Sequence, residues 1–125
     1  MTPAVTDPCV LVVEDDTDLR ETLAELLAMS GYRVETAEHG RAALDNMQTK
    51  KPCLVLLDLM MPVMDGWQVI EAMKHDPELK DIPVCVVSAQ AQSAPPGSKC
   101  VIKKPTALSA LLGVVAEHCL LHHPP

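Results

Sequence analysis

The chain predicts a doubly wound α/β domain, in which a five-stranded parallel sheet carries helices on both faces. Three observations predict it. Short continuous apolar runs recur along the chain, apolar residues at helical spacing separate them, and polar residues collect where the runs end. Continuous apolar runs suit strands buried on both faces, and their alternation with helices requires crossovers between parallel neighbours.

The first run, "CVLVV" from Cys9 to Val13, reads as a buried strand. Leu19, Leu23, Leu26 and Leu27 then repeat at helical spacing until Gly31 stops the pattern. "YRVETA", from Tyr32 to Ala37, alternates and reads as a more exposed strand, and Ala43, Leu44 and Met47 mark a helix ending before Pro52. "CLVLL" is the third strand, followed by a helix on Val69, Ile70 and Met73 that stops before Pro77. "VCVV" (Val84 to Val87) and "CVI" (Cys100 to Ile102) are the fourth and fifth strands. Leu108, Leu111, Leu112, Val115 and Cys119 form the last helical stripe, after Pro105. Between Ser88 and Val101 stand Pro95, Pro96 and Gly97. Proline removes a backbone donor and clashes with the preceding helical turn, so the fourth crossover helix is expected to be shortened or absent.

At 125 residues the chain fits a single domain, with a core over about 8–121 and tails at 1–7 and 122–125. Residues are 48% hydrophobic and 22% charged, a folded rather than disordered composition. Trp67 and Tyr32 are the only aromatics, which leaves aliphatic side chains, Met and Cys to fill the interior. A net charge of −7 disfavours direct contact with nucleic acid or an anionic membrane. The chain has no apolar run of membrane-spanning length, and "MTPAVTDP" lacks a basic start and an apolar core, so a cytoplasmic protein is expected. Cys9, Cys53, Cys85, Cys100 and Cys119 are odd in number, include no C-x-x-C and sit by apolar runs; they read as reduced, buried small side chains. His118, Cys119, His122 and His123 have zinc-ligand chemistry but lie beside Pro124 and Pro125, and read as a solvated tail.

In an open parallel sheet the functional crevice lies at the carboxyl ends of the strands, where strand order reverses. Glu14, Asp15 and Asp16 follow the first strand, Asp58 ends the third, Ser88 the fourth, and Lys103 and Lys104 the fifth. Clustered carboxylates repel unless a cation neutralises them, and an oxygen-rich site with room for water suits Mg2+. An aspartate held there can attack a phosphoryl group, whose charge calls for metal on one side and an ammonium and a hydroxyl on the other. Asp58 fits the nucleophile, Lys104 the ammonium and Ser88 the hydroxyl. Asp16 reads as solvated or as a helix start.

The motifs "LVVEDD", "DLMMPVMDG", "VVSA" and "KKP", in this order along nearly the whole chain, resemble the receiver domain of two-component response regulators. The resemblance implies a flavodoxin-like strand order, 2-1-3-4-5, and a chemotaxis-receiver-like signalling switch rather than a metabolic enzyme, one that catalyses only its own phosphorylation and dephosphorylation. It implies that Asp58 is the phosphoacceptor, that Asp15 binds Mg2+ directly and Glu14 mainly through water, and that the Met60 carbonyl completes the protein ligands. Ser88 becomes the switch hydroxyl and Lys104, which directly precedes Pro105, the site lysine; Lys103, its neighbour on the strand, points away. Pro62 and Gly66 shape the loop after Asp58. The implied partners are a histidine kinase or histidine phosphotransfer protein and a downstream protein target, with output through protein contacts because little chain follows the last helix.

Two other classes stay open. A degenerate receiver would be a binding module that works without phosphorylation, yet no site residue is missing here. An aspartyl phosphohydrolase generally needs an acid two residues after its nucleophile, where this chain has Met60. The resemblance also implies an aromatic three residues before the lysine, a position held here by Val101. The expectation is therefore an order–disorder switch in 89–99, with a partner surface on the last helix that includes Val114 and Leu121.

Overall fold

The computed structural model describes residues 9–59, 61, 63–88, 100–103 and 108–119, without the side chains of 88, 100, 103, 108, 118 and 119. Five strands, β1 (Cys9–Val13), β2 (Arg33–Ala37), β3 (Leu54–Leu57), β4 (Val84–Ser88) and β5 (Cys100–Lys103), form one parallel sheet in the order β2-β1-β3-β4-β5. Four helices accompany them: α1 (Thr17–Met29), α2 (Gly40–Thr49), α3 (Gly66–Lys74) and α4 (Leu108–Cys119). The expected short or absent helix between β4 and β5 falls on 89–99, outside the described residues.

The period of two in each strand divides the interior into two layers. Leu11, Val13, Val55, Leu57, Val84 and Val86 face α2 and α3, where Ala43, Met47, Val69, Ile70 and Met73 cover them. Val10, Val12, Leu54, Leu56, Cys85 and Val87 face the opposite way, under Leu23 and Leu27 of α1 and Leu111 and Val115 of α4. Because β1 and β3 are covered on both sides, all nine of their residues are buried, which is why they read as unbroken apolar runs. β2 lies at an edge and exposes part of its length. Truncating a fully buried side chain such as Leu57 to alanine should cost about 3 kcal/mol.

Helix ends follow local chemistry. Asp16 caps α1 by accepting from the Leu19 N–H at 3.1 Å, the helix-starting role expected of it. Asp65 and Gln68 form a reciprocal capping box at the start of α3. His39 caps α2 through Nδ1, which accepts from the Ala42 N–H at 3.1 Å, so that nitrogen carries no proton. Gly31, just beyond α1, has φ +99°, a conformation that favours glycine.

One expectation changes. Cys9 is a free buried thiol, but Cys53 and Cys85 are disulfide-bonded, so the reading of all five cysteines as reduced is corrected. Strand neighbours lie far apart along the chain, and cysteine spacing carried no information about them. Val114, expected on a partner surface of the last helix, packs partly buried against the α1/α4 layer. A twelve-residue helix lying flat on a sheet buries more than its central stripe. Leu121 lies outside the described residues, as do the side chains of His118, Cys119, His122 and His123. Among the described residues no helix is long and apolar enough to cross a membrane.

Candidate functional site

Strand order reverses between β1 and β3, since the chain leaves β1 towards β2 on one side and β3 towards β4 on the other. The ladders run one residue past the regular strands at this point. The Glu14 N–H donates to the Ala37 carbonyl at 3.1 Å and the Asp58 N–H to the Val13 carbonyl at 3.0 Å. Glu14 and Asp58 are thereby held level at the carboxyl end of adjacent strands. Both are buried, at 3% and 5% exposure. Carboxylate oxygens of Glu14, Asp15 and Asp58 all lie within 4.8 Å of one another, with Asp15 exposed at the mouth. Two buried carboxylates and a third at their edge make a purely oxygen donor set that fits a hard divalent cation.

The turn carrying the acidic pair is tied down on several sides. The Asp16 N–H donates to Glu14 Oε2 at 3.2 Å, and the Arg20 N–H to the Asp16 carbonyl at 2.8 Å. Arg20 Nη1 also reaches back to donate to the Glu14 carbonyl at 2.8 Å. Arg20 was not singled out in the sequence. The available signal was an arginine in the first turn beyond a capping aspartate, close enough to return to the residues before the helix.

The loop after Asp58 is closed by Gly66, whose N–H donates to the Leu59 carbonyl at 3.0 Å. A Cβ on Gly66 would stand 2.7 Å from Leu59 Cα and 2.8 Å from the Asp58 carbonyl, so only glycine permits this approach. The same loop rests on α2, where Gly40 donates to the Met64 carbonyl at 3.3 Å and a Cβ would meet Val69 and Met64. Within it Val63 has φ +72° and is 77% exposed. A β-branched residue is strained there and gains little burial in return.

Of the residues expected from sequence, Glu14, Asp15 and Asp58 come together as described. Ser88 ends β4 and its Cα partner in β5 is Lys103; by continuation of the β3–β4 register, Asp58 is level with Val87, one residue short of Ser88. The Ser88 side chain, Met60, Pro62 and Lys104 lie outside the described residues. Val101 has the Cα partner Val86 and packs partly buried against the α2/α3 layer.

A family model for the response regulator receiver domain matches residues 10–115. The chain belongs to this family. Transcriptional regulatory protein PrrA of Mycobacterium tuberculosis is 42% identical over 91 residues, which cover 73% of this chain and 38% of that protein. This receiver therefore spans less than half the length of that relative. The chemotaxis protein CheY4 of Vibrio cholerae superposes with a TM-score of 0.80 at 26% identity, over 90% of this chain and 98% of the other. The receiver domain of the sensor histidine kinase PA1611 of Pseudomonas aeruginosa has a TM-score of 0.83 at 20% identity, again over 90% and 98%. That likeness carries the fold, and the PA1611 domain has a magnesium ion coordinated in its active site cleft. Receiver domains of this family are signalling switches of two-component systems.

Proposed function

We propose that this receiver accepts a phosphoryl group on Asp58 from a histidine kinase, a histidine phosphotransfer protein or a small phosphodonor, and thereby switches its contacts with a downstream protein. The observation that carries the reading is the position of Asp58: 5% exposed at the tip of a central strand, with its carboxylate within 4.8 Å of those of Glu14 and Asp15. Three carboxylates this close, two of them buried, repel one another and favour a cation among them.

Glu14, Asp15 and Asp58 would hold Mg2+, with the Met60 carbonyl as a further ligand. When bound, the metal supplies positive charge that offsets the carboxylates and the entering phosphoryl oxygens. Asp58 then attacks phosphorus with a carboxylate oxygen; the new O–P bond forms as the P–N bond to the donor imidazole breaks, its electron pair returning to nitrogen. The backbone hydrogen bond from Asp58 to Val13 and the Gly66 closure hold the nucleophile in place for in-line approach. Ser88 and Lys104 supply the hydroxyl and ammonium for the phosphoryl oxygens. The domain spans 1–125 and works in the cytoplasm, as a switch whose only catalysis is its own phosphorylation and dephosphorylation.

Incubation with radiolabelled acetyl phosphate and magnesium should give an acid-stable, base-labile adduct that is lost in EDTA and in Asp58→Asn. Undiminished labelling of that variant, or labelling insensitive to EDTA, would overturn the proposal.

A further inference from the structure

We infer that Arg20 is a positioning residue for the divalent cation, acting through the backbone of the acidic turn; this rests on the proposed reading of Glu14, Asp15 and Asp58 as a cation site. The peptide joining Glu14 to Asp15 sets where both side chains point. Its carbonyl accepts from Arg20 Nη1 at 2.8 Å, in a partly buried contact. One side of the turn is fixed by the Glu14 N–H on Ala37, and the other by Asp16, which caps α1 and accepts from the Arg20 N–H. Between those two anchors the carbonyl of Glu14 is held by a side chain, and that side chain is Arg20.

The choice of arginine sharpens the argument. A positive charge beside a cation site works against binding a second cation, so electrostatics alone would favour a neutral residue. An arginine kept in that position is explained by what its planar fork does: Nη1 reaches the Glu14 carbonyl while Nη2 lies 3.5 Å from Thr17 Oγ1, giving the guanidinium two reference points that a lysine ammonium cannot match in one plane. Groups behind the ligands commonly change metal affinity by 10- to 100-fold when removed. The two effects of Arg20 have opposite signs, and this makes the inference testable. Loss of a repelling charge tightens cation binding, whereas loss of the positioning bond weakens it.

The experiment is calorimetric titration of MgCl2 into wild type, Arg20→Ala and Arg20→Lys, with each thermal midpoint measured in EDTA. The expected result is a magnesium dissociation constant raised about tenfold in Arg20→Ala and by at least that factor in Arg20→Lys, which keeps the repelling charge and loses the fork. The magnesium concentration for half-maximal acetyl phosphate labelling should rise in parallel. Tighter or unchanged binding in Arg20→Ala overturns the inference, as does a lowered midpoint in EDTA with an unchanged dissociation constant, the mark of a purely structural role. If Arg20→Ala does not fold, Arg20→Lys decides alone: wild-type affinity overturns the inference. A wild type that binds no magnesium overturns the site reading itself, and this inference with it.

Discussion

Replacing Asp58 with asparagine should stabilise the protein when divalent cations are absent, the reverse of the usual effect of substitution at a buried position. The magnitude follows from the site. Asp58 and Glu14 are 5% and 3% exposed, and their carboxylates and that of Asp15 lie within 4.8 Å of one another. Two unit charges at that separation repel by about 1 kcal/mol in water and about 3.5 kcal/mol at an effective dielectric near 20. Asp58 faces two such charges, while further interactions made by Glu14 and Asp58 offset part of the repulsion. A net gain of about 2 kcal/mol corresponds to roughly 6–10 °C in thermal midpoint for a domain of this size. Asparagine matches aspartate in shape, so packing changes little. Differential scanning calorimetry in EDTA and in millimolar magnesium measures both halves of the argument. Wild type should gain strongly from magnesium and Asp58→Asn only weakly, narrowing the difference between them. A lower midpoint for the variant in EDTA, or equal stabilisation of both by magnesium, would refute the reasoning.

Other outcomes follow from the same structure. Gly66→Ala should lose about 2 kcal/mol in urea unfolding and slow acetyl phosphate labelling, because the new Cβ meets backbone atoms of Asp58 and Leu59 that cannot yield. Val63→Gly should raise stability by about 1 kcal/mol, since it relieves φ +72° at a side chain that is mostly in solvent. The Asp76 carboxyl is held below its usual 3.8 by the Gln48 side-chain hydrogen bond first and the Glu78 N–H second. Its contribution is therefore present above about pH 4 and lost as the pH falls through the depressed value, and Asp76→Asn should show a smaller fall in thermal midpoint between pH 5 and pH 3 than wild type. Alkylation of denatured, unreduced protein should label Cys9 and leave Cys53 and Cys85 unlabelled until a reductant is added. In the native state, burial and then the Glu35 charge push the Cys9 thiol above its usual value and should protect it too.

The parts of the fold visible in the sequence are those set by local pattern. The runs at Cys9–Val13 and Leu54–Leu57 are apolar throughout because both faces of a central parallel strand are covered, and β2 alternates because it lies at an edge. The same logic exposed the core of the site. An acid directly after a buried run must sit at the sheet rim, and Glu14 and Asp58 do so one residue beyond β1 and β3.

The rest depends on where a side chain reaches in the folded turn, on contacts between segments distant in sequence, or on backbone geometry. An arginine in the first turn after a capping aspartate is within reach of the Glu14 carbonyl, but only the folded turn shows that its guanidinium returns there, and His39 is not among the residues usually favoured as a helix cap. The disulfides of Cys53 and Cys85 depend on tertiary neighbours. Val63 gave no warning of φ +72°, because a β-branched residue is a poor choice for that conformation and the loop imposes it through closure at Gly66 and the Gly40–Met64 contact.

The most direct test of the central claim is reductive trapping of the phosphorylated protein. Sodium borohydride converts an aspartyl phosphate to homoserine, and tandem mass spectrometry of the peptide containing Leu54 to Trp67 locates the change. Protein treated with acetyl phosphate and magnesium should show homoserine at position 58 alone, and protein treated in EDTA none. Homoserine at Asp65 in place of Asp58, homoserine at Asp15 or 2-amino-5-hydroxypentanoic acid at Glu14 in the peptide that carries the acidic pair, or no reduced residue in a sample that carries label, would contradict the account.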